Sequence, residues 1–214
     1  MRPLTDATPK PLLRAGGKPL IAWQLERLAA AGFRDIVVNL SHLGGQIEAA
    51  LGDGSRWGVR IAFSREERAL ETAGGVVQAL GLLGPGPFLV VSSDIHTAFD
   101  YARLVPVARA IAADPVRRAA HFVLVDNPAW HPQGDMGLEN GLVTLGSPGF
   151  TYANISVFHP RLFDGLAAGT HLKLFPWAFR FVGEGRVTGE MFRGDWANLG
   201  TPAQLAQLDR RLSA

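Results

Sequence analysis

Residues 1–13 have the sequence Met1-Arg-Pro-Leu-Thr-Asp-Ala-Thr-Pro-Lys-Pro-Leu-Leu13, in which a single lysine stands between two prolines. Each proline fixes its own backbone angle and disfavours helical backbone in the residue before it, so we expect extended backbone on both sides of Lys10. A lysine on such a stiff support presents its ammonium group at a defined place. The stretch therefore predicts a binding position for an anionic group of a ligand.

Beyond this stretch, apolar residues alternate between helical and strand spacing. Residues 18–31 have the periodicity of a helix that Gly32 is placed to end. Further helices are predicted at 43–51, 74–82, 101–113, 172–181 and 202–212, and strands at 35–40, 59–63, 88–92, 121–125 and 151–158. Residues 127–149, rich in glycine and proline, predict hairpins. Helices that alternate with continuous apolar strands indicate an α/β protein with a layered sheet.

Composition limits the possible classes of protein. The chain has 214 residues, of which 47% are hydrophobic, enough for one sizeable core, so we expect a single domain over residues 1–214. A formal net charge of +2 disfavours a nucleic-acid partner. The chain lacks cysteine, which excludes disulfides and thiolate zinc sites, and it lacks a long apolar run or an apolar signal segment. We therefore expect a cytoplasmic protein that does not bind membranes; its oligomeric state is not indicated.

One aspartate follows directly after the apolar strand of residues 88–93. Asp94 should project from the carboxyl end of that strand, where open α/β sheets place their ligands. Magnesium commonly binds through one or two carboxylates and the phosphates of a substrate, so Asp94 is a candidate magnesium ligand. The alternative is that Asp94 only caps the next element, and the residues alone leave the two interpretations about even.

The segment Leu70-Glu-Thr-Ala-Gly-Gly75 places two polar residues and two glycines at the start of an apolar helix. Glycines let a ligand approach the backbone, and the first amides of a helix are free donors. Glu71, Thr72 and Gly74 are therefore candidate ligand contacts. An ordinary helix start is the alternative.

Several motifs resemble, in the same order, those of the sugar-1-phosphate nucleotidylyltransferases. Pro3-Leu4-Thr5 and Pro9-Lys10-Pro11 match the opening motif of that family, and the likeness continues through residues 17–21, 70–75, the Asp94 region, 125–128 and 194–202. The resemblance implies a Rossmann-like three-layer α/β/α fold with a mixed sheet, of the nucleotide-diphospho-sugar transferase type. Within the family, the resemblance is greatest to the branch whose members join UTP to N-acetylmuramate 1-phosphate in cell-wall recycling.

The resemblance also implies a reaction and roles for individual residues. A nucleoside triphosphate and a sugar 1-phosphate would combine, with magnesium, and release pyrophosphate. Lys10 would bind the triphosphate or stabilise its charge, and Lys173 would steer the sugar phosphate. Glu71, Thr72 and Gly74 would contact the nucleotide, and the sugar contacts would be Asp126, Asn127 and Asn154.

The resemblance assigns the magnesium to Asp94 and to a second position that departs from the family pattern. Asn198, in Trp196-Ala-Asn-Leu-Gly-Thr-Pro202, stands where the family has an aspartate. Its amide oxygen can bind a metal but lacks the negative charge, so we expect weaker metal binding there. Asp195 is three positions away and is expected on another side of the backbone.

Members of the family also carry a central strand and a glycine-rich loop before the position of Met1. The resemblance therefore predicts an active enzyme. It also predicts that this chain lacks the first strand, the glycine-rich loop and the arginine of that loop, and it leaves the activity of the 214-residue form open. A non-catalytic nucleotide-sugar-binding or regulatory subunit is one alternative, motivated by the missing loop and by Asn198. A mannose-1-phosphate guanylyltransferase, with the same reaction on other substrates, is the second.

Overall fold

In the computed structural model, which describes residues 1–146 and 149–213, helices and strands alternate along the chain. The helices are α1 (Leu4–Ala7), α2 (Leu20–Ala30), α3 (Gly44–Leu51), α4 (Glu71–Leu83), α5 (Leu104–Ala113), α6 (Leu174–Trp177), α7 (Phe179–Gly183) and α8 (Pro202–Ser213). The strands are β1 (Arg14–Ala15), β2 (Lys18–Pro19), β3 (Asp35–Leu40), β4 (Arg60–Arg65), β5 (Phe88–Val91), β6 (Ile95–Thr97), β7 (Ala120–Val125), β8 (Gly137–Glu139), β9 (Leu142–Thr144), β10 (Thr151–Phe158), β11 (Val187–Met191) and β12 (Trp196–Asn198).

Contacts divide the chain into two compact units. The first contains Met1–Ala69, Ser92–Ala102 and Asp195–Ala214, and the second contains Leu70–Val91 and Arg103–Gly194. Each unit has its own buried apolar cluster. The expectation of one domain over the whole chain stays a prediction.

The first unit is built from short sheets and three longer helices. β3 and β4 pair in parallel, and β6 pairs antiparallel with β12. The apolar stripe of α2 buries Ile21 and Leu25 in a cluster with residues of β3 and α3. The predicted helix stop is confirmed, since Gly32 has φ +91° and its amide donates to the carbonyl of Ala29.

The second unit contains a six-stranded sheet with the strand order β5-β10-β7-β11-β9-β8. β7 and β11 pair in parallel, and the other neighbours are antiparallel. β7 is buried along its whole length, which explains its continuous apolar sequence, and Phe122 and Leu124 are fully buried. The mixed α/β organisation is as predicted. β8 and β9 form a hairpin within the predicted hairpin region, of which residues 147 and 148 lie outside the described residues.

Two local predictions are wrong. Residues 172–181 do not form one helix: α6 is interrupted at Phe175 (φ −111°, ψ 137°), because the residue before a proline is held away from helical backbone. Pro9 is extended as expected, but Lys10–Leu12 form a 3-10 turn. That turn is closed by the amides of Leu12 and Leu13, so it needs no donor from Pro11.

Among the described residues, every helix is too short or too polar to cross a lipid bilayer.

Candidate active site

Lys10 and Asp94 contact each other in the first unit. The ammonium nitrogen of Lys10 lies 2.5 Å from Oδ2 of Asp94, although the residues are 84 positions apart in the sequence. The lysine begins a 3-10 turn and the aspartate immediately precedes β6. Both side chains are less than one-third exposed, at 29% and 28%. The structure therefore places the predicted phosphate ligand and the predicted metal ligand at one point.

Asn198 lies on the strand next to Asp94. In the β6–β12 ladder, Asn198 is opposite Ile95, and the amide of Leu199 donates to the carbonyl of Asp94 over 2.9 Å. Asp195 is engaged elsewhere, because its two carboxylate oxygens face Arg211 (2.7 Å) and His96 (3.4 Å). Of the two candidate residues near this end of the chain, Asn198 is thus the one beside Asp94.

The donor set at this point suits magnesium. Asp94 offers a carboxylate and Asn198 an amide oxygen, both of which are oxygen donors. The part of the chain that the structure describes contains no cluster of three or more His, Cys, Asp or Glu side chains able to hold a metal. Magnesium commonly completes its shell with water and substrate phosphates, so two protein oxygens fit this mode of binding.

A buried polar chain of hydrogen bonds reaches the residue after Asp94. The hydroxyl of Tyr101 donates to Oε1 of Gln24 over 2.5 Å, and Nε2 of Gln24 donates to the carbonyl of Ile95 over 2.7 Å. The Tyr101 hydroxyl is protonated at neutral pH and able to donate, and burial raises its pKa further above the usual value. Neither residue is among the candidates predicted from the sequence, although a glutamine within the apolar stripe of α2 was an available signal.

His96 is buried on the strand that follows Asp94. Its ring packs edge-on against Trp23, with 5.6 Å between centroids, and its Nε2 lies 3.4 Å from Asp195. Burial lowers the pKa of His96, and the negative charge of Asp195 offsets part of that effect. Neutral imidazole is therefore the favoured form in the folded protein.

In the second unit, the predicted ligand contacts at the start of α4 touch another part of the same chain. The amide of Gly74 donates to the carbonyl of Leu172 over 3.0 Å, and the amide of Leu172 donates to the carbonyl of Leu70 over 2.9 Å. A Cβ added at Gly74 would lie 2.2 Å from the carbonyl oxygen of Thr170. The expectation that the Gly74 amide is a free donor is therefore wrong. Its lack of a side chain is required by the chain segment that packs against it.

This packing brings Lys173 beside the start of α4. Lys173 directly follows Leu172, is exposed and has extended backbone (ψ 144°), so it lies before α6 rather than on an amphipathic helix. Glu71 has φ +66°, and its carboxylate lies 3.9 Å from Nε2 of His171. Thr72 is exposed. Glu71, Thr72 and Lys173 thus belong to one surface of the second unit.

Asn127 uses its side chain to hold a loop. Its Nδ2 donates to the carbonyls of Pro132 (3.0 Å) and Gly149 (2.9 Å), and its Oδ1 accepts from the hydroxyl of Thr151 (2.9 Å). The loop borders an open cavity of about 730 Å³, which Asn127 helps to line together with Asp135. The structure thus gives Asn127 a role in shaping this region.

The other two predicted sugar contacts differ in their surroundings. Asp126 follows β7, is exposed, and lies 3.8 Å from Arg193. Asn154 is half-buried in β10 with φ +60°, at the register shift between Tyr152 and Ser156 in the pairing with β7. A bulge of this kind turns a side chain away from the regular ladder, and asparagine tolerates the left-handed backbone that it needs.

Known proteins share sequence with most of this chain. Residues 1–129 match the nucleotidyl transferase family. An N-acetylmuramate alpha-1-phosphate uridylyltransferase from Neisseria meningitidis is 45% identical over 97% of this chain and 90% of its own length. A protein of the same name from Caulobacter vibrioides is 34% identical over 100% of this chain and 92% of its own length.

A protein of known structure has a similar fold. A crystal structure of a Bacillus anthracis protein, named as a candidate glucose-1-phosphate thymidylyltransferase and solved with sucrose, has a TM-score of 0.85 and 18% identity. The match covers 100% of this chain and 90% of that chain, which confirms the Rossmann-like fold of the nucleotide-diphospho-sugar transferases. The family match and the two nearly full-length relatives together confirm the sequence prediction: the chain belongs to the sugar-1-phosphate nucleotidylyltransferases of the nucleotidyl transferase family.

Proposed function

We propose that this protein transfers the uridylyl group of UTP to N-acetylmuramate 1-phosphate and releases pyrophosphate, as a step in the recycling of cell-wall sugars. The nearly full-length similarity to two proteins named for that activity supports the choice of substrates. The observation that carries the chemistry is the contact between the Lys10 ammonium and the Asp94 carboxylate, in a segment that is paired with the strand containing Asn198.

In this reaction, an oxygen of the sugar phosphate attacks the α-phosphorus of UTP. The new bond joins the two phosphorus atoms through that oxygen, while the bond from the α-phosphorus to the oxygen of the β-phosphate breaks. Pyrophosphate leaves with the electron pair. The sugar phosphate is already ionised at neutral pH, so the reaction needs no covalent intermediate and no strong base. Positioning and neutralisation of charge supply most of the rate acceleration.

The residues of the first unit act on the triphosphate. Asp94 and Asn198 would hold a magnesium ion, which when bound offsets the negative charge of the phosphates. The Lys10 ammonium adds a fixed positive charge, since its place is defined by the 3-10 turn that follows Pro9. Asp94 keeps this ammonium in place through their direct contact.

The residues of the second unit contact the substrates. Glu71 and Thr72 accept hydrogen bonds from the nucleotide, and Lys173 attracts the phosphate of the sugar. Asp126 accepts hydrogen bonds from sugar hydroxyls, and Asn154 both accepts and donates them, whereas Asn127 holds the loop through its three internal bonds. Oligomeric state and cytoplasmic location stay predictions of the sequence.

The test is an assay of pyrophosphate release with magnesium, in which UTP and GTP are each paired with N-acetylmuramate, glucose and mannose 1-phosphates. It is run on the 214-residue chain and on a form extended before Met1 by the strand and glycine-rich loop that the family resemblance predicts. We expect the highest kcat/KM for UTP with N-acetylmuramate 1-phosphate.

A preference for GTP with mannose 1-phosphate would overturn the proposed substrates and support the guanylyltransferase alternative. Absence of turnover in both folded proteins, together with calorimetric binding of a nucleotide sugar, would support the non-catalytic alternative. An Asp94→Ala variant is the control for contaminating activity, because it removes the predicted metal ligand.

A further inference from the structure

Two buried polar side chains, Gln24 and Tyr101, have no place in the reaction described above. Gln24 on α2 is 4% exposed and Tyr101 is 1% exposed. A buried amide and a buried phenol are unfavourable unless both are hydrogen-bonded, and here the two bond to each other. Their chain of hydrogen bonds ends at the carbonyl of Ile95, the residue that follows Asp94.

The backbone around Asp94 is held on both sides. On one side, the carbonyl of Asp94 accepts the amide of Leu199, at the end of β12. On the other side, the carbonyl of Ile95 accepts Nε2 of Gln24, because consecutive carbonyls of a strand point in opposite directions. These two bonds hold the peptide planes before and after Ile95, and the first of these planes contains the Cα atom from which the Asp94 side chain leaves the chain.

The same segment is linked to the other two residues of the candidate site. Ile95 is paired with Asn198 in the β6–β12 ladder, so a shift of Ile95 moves Asp94 relative to Asn198. Lys10 contacts Asp94 directly and depends on its position as well. Because a displacement of about 1 Å at a reacting centre can lower a rate by about 10²-fold, small movements of this segment matter.

We propose that Gln24 and Tyr101 are positioning residues that hold the Asp94 carboxylate in place for magnesium and Lys10. Tyr101 acts through Gln24, and Gln24 acts through the Ile95 carbonyl. This inference deepens the proposed function and rests on it. A tyrosine hydroxyl is protonated throughout the neutral pH range, and that of Tyr101 therefore donates to Gln24.

The experiment uses the variants Tyr101→Phe, Gln24→Leu and the double variant in the full chain. Tyr152→Phe is the matched control, since it also removes a buried hydroxyl with a side-chain partner, Ser156 at 2.7 Å, in the other unit. Each protein is measured for thermal unfolding, for Mn²⁺ binding by water-proton relaxation, for kcat and KM, and for amide exchange at Leu199.

For Tyr101→Phe, we expect a folded protein with a roughly three- to tenfold higher Kd for Mn²⁺, a similar fall in kcat, and faster exchange of the Leu199 amide. The KM for the sugar phosphate stays unchanged. The double variant should resemble Gln24→Leu alone, because the two residues act in series. Tyr152→Phe should change only the unfolding temperature.

Unchanged Mn²⁺ affinity and kcat in folded Tyr101→Phe and Gln24→Leu would overturn the inference while the proposed function stands. The inference would also be overturned if the wild-type protein turns over its substrates but its Mn²⁺ binding does not depend on Asp94. Wild-type protein that neither binds Mn²⁺ nor turns over would overturn the proposed function and this inference together. Because Tyr101→Phe removes a single oxygen atom, it tests the inference even if Gln24→Leu does not fold.

Discussion

The Lys10 ammonium lies 2.5 Å from the Asp94 carboxylate, so a residue predicted to bind phosphate and a residue predicted to bind metal form an ion pair with each other. Opposite charges at this distance attract strongly where the side chains are partly removed from water. A triphosphate with a bound cation carries both charges that such a pair can recognise. The pair therefore matches the two components of the substrate proposed for this protein.

Removing the charge of Lys10 should affect the reaction far more than the fold. We expect Lys10→Met to lower kcat by about 10²- to 10³-fold, because it removes a positioned charge that stabilises the transition state. The free energy of unfolding should change by less than about 1 kcal/mol, as for most ion pairs that water still reaches. Pyrophosphate release and urea denaturation are the measurements. Lys18→Met is the control, since Lys18 also forms a part-exposed ion pair, with Glu26. Near-normal kcat in Lys10→Met would contradict the assignment.

Introducing a carboxylate at position 198 should strengthen metal binding. We expect Asn198→Asp to lower the magnesium concentration for half-maximal activity by about three- to tenfold, because a second negative oxygen donor joins Asp94. A magnesium titration of the initial rate measures this change. Asn140→Asp is the matched control: Asn140 is exposed, and its φ of +50° is one that aspartate also adopts. An equal magnesium requirement in both variants would argue against a metal at position 198.

A side chain at Gly74 should separate α4 from the segment that carries Lys173. We expect Gly74→Ala to lower the free energy of unfolding by about 1–3 kcal/mol, because the new Cβ would lie 2.2 Å from the carbonyl oxygen of Thr170. Gly81→Ala, on the same helix, meets no atom within 4 Å and should raise stability by about 0.5–1 kcal/mol. Urea denaturation of both variants provides the comparison. Equal changes in the free energy of unfolding for the two variants would contradict the close packing at Gly74.

The buried His96 should make the protein less stable in acid. Its pKa in the folded protein lies below the ordinary value of 6.5, so the unfolded chain binds the proton more readily. The free energy of unfolding is therefore highest above pH 6.5, and it decreases as the pH falls from that value towards the folded-state pKa of His96. Urea midpoints between pH 7.5 and 5 measure the effect, and His96→Leu should reduce the slope over this range.

The variant Asp195→Asn tests the cause of that pH dependence. Asp195 favours the charged imidazole, whereas Arg27 and Arg211 disfavour it. Without the carboxylate, the folded-state pKa of His96 should fall further, and the loss of stability should continue to lower pH. A smaller loss in Asp195→Asn than in the wild-type protein would contradict this account.

The sequence predicted the elements whose pattern is local. The stripe of α2 and the continuous apolar strand β7 have clear periodicities, and both form where expected. β6 and β12 were not predicted, because each has three residues and forms only through pairing with the other, about 100 positions away. The helix predicted over 172–181 failed because apolar spacing does not register the backbone restriction before Pro176.

In the candidate site, too, residues within short motifs could be predicted, whereas contacts between residues far apart in the sequence could not. Motifs were sufficient to single out Lys10 and Asp94, which contact each other, and Asn198, which lies on the strand paired with β6. They could not reveal Gln24, whose partners Ile95 and Tyr101 are 71 and 77 positions away. They also could not show whether a ligand or the chain itself required a glycine at position 74.

Glu71 has consequences for protein engineering. At φ +66° its Cβ crowds the backbone, at a cost of about 1–2 kcal/mol that glycine would avoid. Glu71→Gly is thus a simple route to a more heat-resistant protein, since the relief of crowding exceeds the added freedom of the unfolded chain. Its drawback is the loss of the carboxylate beside His171. At the first residue of α4, thermal stability and the proposed contact with the nucleotide therefore place opposite demands on the same side chain.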